Sequence, residues 1–260
     1  MTKRVKTGTV DANGTKLYYE LRGRGPSLLF IPGAEGDAEE YLRVAELLDD
    51  EFTVVTYDRR GFSRSPRPVG YIGTTVDRQT DDAAALLGAL DVAPVGVWGN
   101  SSGAIIGLSL CLRYPEVVRR AMLHEPPLFA GMSAPQKVLT FLKEATANGK
   151  ATFLRILMGD AIYGSLSEEY RARLEADDTW IEHEFDNFEW FRPADEDLAG
   201  IQRPVAVLFG ADSPPFFGEA ANWLAGRLGT SALTIPGGHG VHYDHPEEVA
   251  QAIRDFMAAD

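Results

Sequence analysis

The chain of 260 residues is poor in cysteine, in basic residues and in long apolar runs. Its single cysteine, Cys111, excludes an intramolecular disulfide and a cysteine metal cluster. Only 25 lysines and arginines stand against 38 aspartates and glutamates, a formal charge of −13, which argues against nucleic acid or an anionic membrane as the partner. No stretch has the pattern of a secretory signal or a membrane span. We therefore expect a cytoplasmic protein that acts on a small molecule.

Two kinds of apolar segment alternate along the chain, and 45% of the residues are apolar, enough for a sizeable core. Short apolar runs are typical of buried strands, while the segments between them have helical spacing. This alternation predicts an α/β fold with a doubly wound, mainly parallel sheet. Asn13-Gly14 predicts a hairpin near the start. The predicted strands cover residues 7–10, 15–21, 28–31, 52–57, 119–124, 205–209 and 232–235, besides one that begins at Val95.

The alternation stops between Pro127 and Leu198, where no strand is predicted and the helical segments are about 134–147, 152–158, 167–176 and 178–191. We therefore expect residues 1–126 and 199–260 to form a core domain and residues 127–198 an inserted helical cap. Such a cap would lie above the carboxyl ends of the strands, where open α/β sheets bind ligands. Its aromatic side chains either pack it onto the core or line an apolar pocket, for which Phe129 and Trp190 are candidates.

A turn rich in glycine and serine follows the strand that begins at Val95 and precedes an apolar helical segment. It reads Gly99-Asn100-Ser101-Ser102-Gly103, the Gly-x-Ser-x-Gly pattern of a nucleophile elbow. The flanking glycines let strand and helix pass close together, and the Ser102 N–H at the helix start can stabilise an oxyanion. The simpler interpretation is an ordinary turn of another α/β protein, so the remaining motifs must decide.

A nucleophilic serine needs a base, an acid that orients the base, and donors for the oxyanion. His239 is the candidate base, because it follows the last predicted strand and so lies at the same sheet edge as Ser101. An alternative is a metal site that His239 forms with His242, His245 and Asp244, but no other group of residues has zinc spacing. We expect neither a metal nor a cofactor.

Four segments of this chain, in their order and spacing, resemble the α/β-hydrolase superfamily over nearly the whole length. They are Ile31–Ala34, Tyr57–Arg64, the elbow, and Pro236–His239 followed by His245-Pro-Glu-Glu. The resemblance implies a helical cap after the sixth strand, Ser101 as nucleophile and His239 as general base. It also implies an oxyanion hole built from the backbone N–H groups of Ala34 and Ser102.

Two residues beside these motifs are further candidates for contact with a substrate. Gly33 precedes Ala34 in the loop after a strand, and Asn100 either touches the substrate or stabilises the turn. Pro32 stands where many members of the superfamily have histidine, a change that leaves backbone donors unaffected.

The acid has two candidate positions. In most of the superfamily it lies after the strand at 205–209, three residues beyond a glycine, but here Ser213 has that offset and Asp212 comes one residue early. The second position ends the strand after the elbow helix, where Glu125 stands between His124 and two prolines. A branch that includes zearalenone lactonase is similar in this stretch and uses the glutamate. We therefore favour Glu125 and keep Asp212 as the alternative.

Together these features predict a serine hydrolase that cleaves an ester or lactone of a moderately large, apolar or aromatic small molecule through an acyl-enzyme. A cofactor-free lyase, cyclase or C–C hydrolase on the same residues and a non-catalytic ligand receptor are alternatives. An epoxide hydrolase or dehalogenase is disfavoured, because these place aspartate where Ser101 stands. The sequence leaves a homodimer open.

Overall fold

A sheet of eight strands runs through the computed structural model, which describes residues 5–180, 184, 188 and 191–259. The strand order is β1-β2-β4-β3-β5-β6-β7-β8; β2 is antiparallel to β1 and β4, and the other neighbouring strands are parallel. The predicted mainly parallel α/β fold is confirmed. The strands are β1 Lys6–Ala12, β2 Thr15–Gly23, β3 Ser27–Ile31, β4 Thr53–Tyr57, β5 Val95–Asn100, β6 Val118–His124, β7 Val205–Gly210 and β8 Leu233–Ile235.

Helices cover both faces of the sheet, because successive strand residues face opposite sides. Leu28 and Phe30 of β3 pack in one apolar cluster with the helices at 42–48 and 246–258, while Leu29 and Ile31 pack in the other with the helices at 76–90 and 102–113. Each such buried side chain stabilises the fold by about 1.5–3 kcal/mol. In chain order the helices are α1 Leu42–Leu48, α2 Val76–Leu90, α3 Ser102–Arg113, α4 Pro135–Ala147, α5 Lys150–Met158, α6 Asp160–Ser165, α7 Glu168–Ala176, α8 Asp195–Ala199, α9 Pro215–Arg227, α10 Val241–Asp244 and α11 Pro246–Ala258, with short 3₁₀ turns at Ala38–Tyr41, Pro115–Val117 and Phe129–Gly131.

The predicted hairpin joins β1 to β2, with Ala12 paired to Thr15. Asn13 and Gly14 both have positive φ, 49° and 80°, the backbone that a two-residue turn between twisted strands requires.

Between β6 and β7 the described residues form helices and connecting loops, which we call the helical insert. Helix α6 was not predicted; Gly159, with φ of 85°, separates it from α5. The predicted helix at 178–191 falls mostly outside the described residues. The division into two domains at residues 127 and 198 stays a prediction. Throughout the described part of the chain, helices are too short or too polar to cross a membrane.

The turn between β5 and α3 depends on its two glycines. A Cβ added at Gly103 would lie 2.1 Å from the carbonyl oxygen of Ile31, and one at Gly99 would lie 2.4 Å from the carbonyl oxygen of Gly103. Both contacts are with backbone, which cannot move aside without displacing a central strand. The close approach of β3, β5 and α3 therefore excludes any side chain here.

Gly103→Ala should lower the free energy of unfolding by about 3 kcal/mol or more, because the methyl group overpacks the sheet. Gly88→Ala is the matched control, since Gly88 also lies in a helix and its added Cβ meets nothing within 4 Å. The control should be neutral or more stable by up to about 1 kcal/mol. Urea unfolding measures both, and equal stabilities of the two variants would contradict the steric argument.

Candidate functional site

Ser101 lies at the apex of the turn between β5 and α3, with φ of 56° and ψ of −125°. Such a backbone costs on the order of 1–3 kcal/mol in a residue other than glycine and persists only where its surroundings impose it. Here the Ser101 N–H donates to the carbonyl oxygen of His124 (2.9 Å), while the Ser101 carbonyl accepts from Ala104 and Ile105 in the first turn of α3. The strained turn places the serine at the carboxyl edge of the sheet.

His239 and Glu125 meet at the same edge. The distance between His239 Nδ1 and Glu125 Oε2 is 2.5 Å, and the other carboxylate oxygen, Oε1, accepts from the Gly210 N–H at 2.7 Å. Glu125 follows β6 with a left-handed φ of 51°, and its own N–H donates to the carbonyl oxygen of Leu208. The carboxylate is therefore fixed from two sides by neighbouring segments of the sheet edge.

The buried carboxylate of Glu125 stays ionised. Burial raises its pKa, but the hydrogen bond from His239 and the neighbouring imidazoles outweigh this effect and lower the pKa to about 2. Since Glu125 bonds Nδ1 of His239, the opposite ring nitrogen, Nε2, is left as the basic one.

The ring plane of His239 is set by packing. Phe217 of α9 stacks on it with ring centroids 4.4 Å apart and planes inclined by 15°. Neither Phe217 nor the Gly210 N–H was predicted as part of the site, and no local sequence signal marks them, because both contacts join segments distant in sequence. Asp212 is exposed; its N–H donates to the carbonyl oxygen of Gly237, and the structure brings Glu125 rather than Asp212 to His239.

Asn100, one of the candidate pocket residues, is buried against His124. The Asn100 side-chain oxygen lies 2.7 Å from His124 Nδ1, and the His124 ring stacks on Trp98. Burial lowers the pKa of His124 to about 4, so this imidazole is neutral and donates to Asn100. Of the two interpretations of Asn100, the hydrogen bond favours stabilisation of the turn.

A cavity of about 30 Å³ adjoins Ser101, and every side chain that lines it is apolar except that of the serine itself. Gly33 borders Ser101 closely, because an added Cβ there would lie 3.2 Å from the serine Cβ. Phe129 instead lines a separate cavity of about 280 Å³, together with Phe191 and Arg192, and Trp190 lies outside the described residues. The cavity at the serine is lined by Ala34, Ser101, Pro127, Met132, Leu142, Phe153, Leu157, Trp180, Phe216 and Phe217.

Ala34 and Ser102 both neighbour Ser101, since Ala34 lines the same cavity and Ser102 is the next residue in the chain. Ser102 is the first residue of α3, so its N–H belongs to the unpaired first turn of a helix, where partial positive charge accumulates. Within the described part of the chain neither N–H has a hydrogen-bond acceptor. Both are therefore free to donate to a developing oxyanion.

The residues of the alternative metal site do not converge. His245 Nδ1 contacts Asp244 at 2.9 Å, whereas His242 is buried near Glu40 and against the ring of Tyr41. Within residues 5–180, 184, 188 and 191–259, no three histidine, cysteine or carboxylate side chains are grouped to hold a metal ion.

Comparisons with known proteins find a matching family and similar relatives. Residues 28–252 match the sequence profile of the Alpha/beta hydrolase family. The uncharacterized hydrolase YraK of Bacillus subtilis strain 168 is 31% identical over 261 residues, 97% of this chain and 96% of the relative. A zearalenone hydrolase of Bionectria ochroleuca is 27% identical over 266 residues, 96% and 97% of the two chains. The crystal structure of carboxylesterase CesB from Bacillus subtilis has a TM-score of 0.77 at 21% identity, covering 98% of this chain and 92% of that one.

The low pKa of Glu125 predicts a dependence of stability on pH. Since its folded-state pKa of about 2 lies below the ordinary value of 4.5, the stabilisation is present above pH 4.5 and is lost as the pH falls toward 2. Between pH 5 and pH 3 the wild-type protein should lose about 2 kcal/mol more of its free energy of unfolding than Glu125→Gln, which lacks the titrating group. Urea unfolding at several pH values measures this, and parallel curves for the two proteins would contradict it.

Proposed function

Because this chain belongs to the α/β hydrolase family, we propose that it is a serine hydrolase that cleaves a carboxylic ester or lactone through an acyl-enzyme on Ser101. The observation that carries the proposal is the 2.5 Å contact between His239 Nδ1 and Glu125 Oε2 at the sheet edge where the strained turn presents Ser101. A base oriented by a buried carboxylate, beside a serine on such a turn, is the arrangement that activates a hydroxyl for attack.

In the first half of the reaction, Ser101 Oγ attacks the carbonyl carbon of the substrate while His239 Nε2 accepts the hydroxyl proton. The ionised carboxylate of Glu125 stabilises the imidazolium that forms and keeps its Nδ1 proton in place. The carbonyl oxygen becomes an oxyanion and accepts from the N–H groups of Ala34 and Ser102. His239 then donates its proton to the leaving alcohol oxygen, which departs and leaves Ser101 acylated.

In the second half, a water molecule takes the place of the alcohol. His239 removes a proton from the water, the resulting hydroxide attacks the acyl carbon, and the same two backbone N–H groups stabilise the second oxyanion. Collapse of this intermediate returns the proton to Ser101 and releases the carboxylic acid. For a lactone the alcohol and the acid belong to one product.

The apolar lining of the cavity supports an uncharged, apolar acyl or lactone portion of the substrate, because the described walls offer no charged partner to the ligand. The relative that is named zearalenone hydrolase and the similarity to a carboxylesterase support the same ester and lactone chemistry. We accordingly propose a moderately large apolar or aromatic ester or lactone. The following experiments distinguish this hydrolytic reaction from a lyase, cyclase, C–C hydrolase or receptor function.

Ser101→Ala should reduce the hydrolysis of aryl esters and macrolactones on the order of 10³-fold or more, because nucleophile and base act as one unit. A fluorophosphonate probe should label the wild-type protein and not this variant. Ser102→Ala is the matched control, since the adjacent serine contributes only its backbone N–H and should still be labelled. Absence of labelling in the wild type would contradict a nucleophilic serine, and labelling without turnover of any ester or lactone would contradict the hydrolytic reaction.

Glu125→Gln should lower kcat by on the order of 10²- to 10⁴-fold, because an amide cannot balance the imidazolium charge and favours the wrong tautomer of His239. Asp212→Asn, the same change at the exposed alternative acid, should cost about tenfold or less. Both are measured with one ester after circular dichroism has verified folding. A severe Asp212→Asn and a mild Glu125→Gln would show that Asp212 is the acid.

A further inference from the structure

Two buried cations bind consecutive carbonyl groups of the loop at residues 32–36, which we call the oxyanion loop. Arg59 Nη2 donates to the carbonyl oxygen of Gly33 at 2.7 Å, and Lys150 Nζ donates to that of Ala34 at 2.8 Å. The Arg59 residue is 0% exposed and Lys150 is 6% exposed. Burying a cation is costly, so two buried cations on adjacent carbonyl groups of one loop call for a functional explanation.

The Gly33 carbonyl and the Ala34 N–H belong to one peptide group. A cation on the carbonyl oxygen withdraws electron density from the amide, so the N–H becomes a stronger donor, and it fixes the plane of the group. The backbone N–H of Arg59 also donates to the carbonyl oxygen of Gly36 at 2.8 Å. Arg59 thus binds the oxyanion loop at two points, and one of them is the peptide group that carries the Ala34 N–H.

The charge of Arg59 is balanced from the helical insert. Arg59 Nη1 donates to Glu184 Oε2 at 2.8 Å, and both side chains are 0% exposed. Gln79 of α2 donates to the other oxygen of Glu184, and the ring of Phe62 lies 4.4 Å from the guanidinium carbon. Lys150 also comes from the insert, as the first residue of α5. Both cationic contacts with the oxyanion loop therefore depend on the position of the insert.

We propose that Arg59 is a positioning residue of the oxyanion hole: its guanidinium, held by Glu184 of the helical insert, orients and polarises the peptide group that presents the Ala34 N–H. This inference rests on the proposed hydrolase function. It assigns to the insert, besides enclosing the cavity, the task of keeping the oxyanion loop in the conformation that stabilises the intermediate. Arg59 itself acts through the peptide group and does not touch the substrate.

The neighbouring Arg60 offers a matched control. Its guanidinium forms a bidentate pair with Asp82, at 2.6 Å for each contact, and donates to the carbonyl oxygen of Asn13. This pair is also buried, but the described contacts of Arg60 do not include the oxyanion loop. Arg60→Lys therefore removes a bidentate guanidinium from a similar buried ion pair and leaves the contacts of the oxyanion loop unchanged.

The test compares Arg59→Lys with Arg60→Lys in kcat, in KM for an apolar ester, and in the inhibition constant of a trifluoromethyl ketone, whose adduct reproduces the oxyanion. Arg59→Lys should lower kcat by about 10- to 100-fold with KM changed by less than about threefold, and should weaken the ketone by the same factor as kcat/KM. Arg60→Lys should leave all three within about threefold. A purely structural role of Arg59 would not link ketone affinity to kcat.

A double variant, Arg59→Gln with Glu184→Gln, replaces the charged pair by a neutral one, so neither position is left as an unpaired buried charge. It provides the same test should Arg59→Lys fail to fold. It should show the same parallel loss of kcat and ketone affinity. Folded Arg59 variants with kinetics like those of Arg60→Lys would overturn the inference. A wild-type protein that neither turns over esters nor reacts with a fluorophosphonate would instead overturn the proposed hydrolase function.

Discussion

An ionised carboxylate buried at the edge of the sheet is the constraint on which the rest of the site depends. Glu125 is fully buried, and it keeps its charge because His239 donates to one oxygen and neighbouring imidazoles lower its pKa, while Gly210 donates to the other oxygen. The Gly210 donor is in place because β6 pairs with β7 in one register, which also brings the Glu125 N–H to the carbonyl of Leu208. A shift of that register by one residue would remove this donor from a buried negative charge, at a cost of several kcal/mol.

The charges around Ser101 are arranged along the direction in which the proposed reaction moves charge. In the proposed mechanism His239 accepts a proton and has the anionic Glu125 behind it, while the oxyanion loop donates to the oxyanion and has the cationic Arg59 and Lys150 behind it. Glu184 neutralises the charge of Arg59 in the resting protein, so the apolar interior holds an ion pair without net charge. In surroundings of low dielectric, such fixed charges and dipoles act strongly and need no reorganisation during the reaction.

The sequence predicted what is decided locally. Asn13-Gly14 predicted the hairpin and short apolar runs predicted central strands, because turn chemistry and burial on both faces act over a few residues. The two glycines of the elbow predicted the close crossing of β5 and α3. The choice between Glu125 and Asp212 depended on the pairing of distant strands, so the sequence could only favour one. The stacking of Phe217 on His239 and the reach of Lys150 into the oxyanion loop had no local signal, since they join residues far apart in the chain.

The small cavity at Ser101 connects substrate entry to catalysis. The volume of this cavity, about 30 Å³, is far below the roughly 300–1,000 Å³ of typical ligand sites. An ester of moderate size therefore enters only if the walls of the cavity move. Leu142, Phe153 and Trp180, which form part of those walls, belong to the helical insert, as do Lys150 and Glu184. The segment that encloses the cavity therefore also supplies the groups that bind Arg59 and the carbonyl group of Ala34. On the proposal for Arg59, any movement of the insert that admits an ester also moves Lys150 and Glu184, so substrate entry and stabilisation of the tetrahedral intermediate depend on the same segment of the chain.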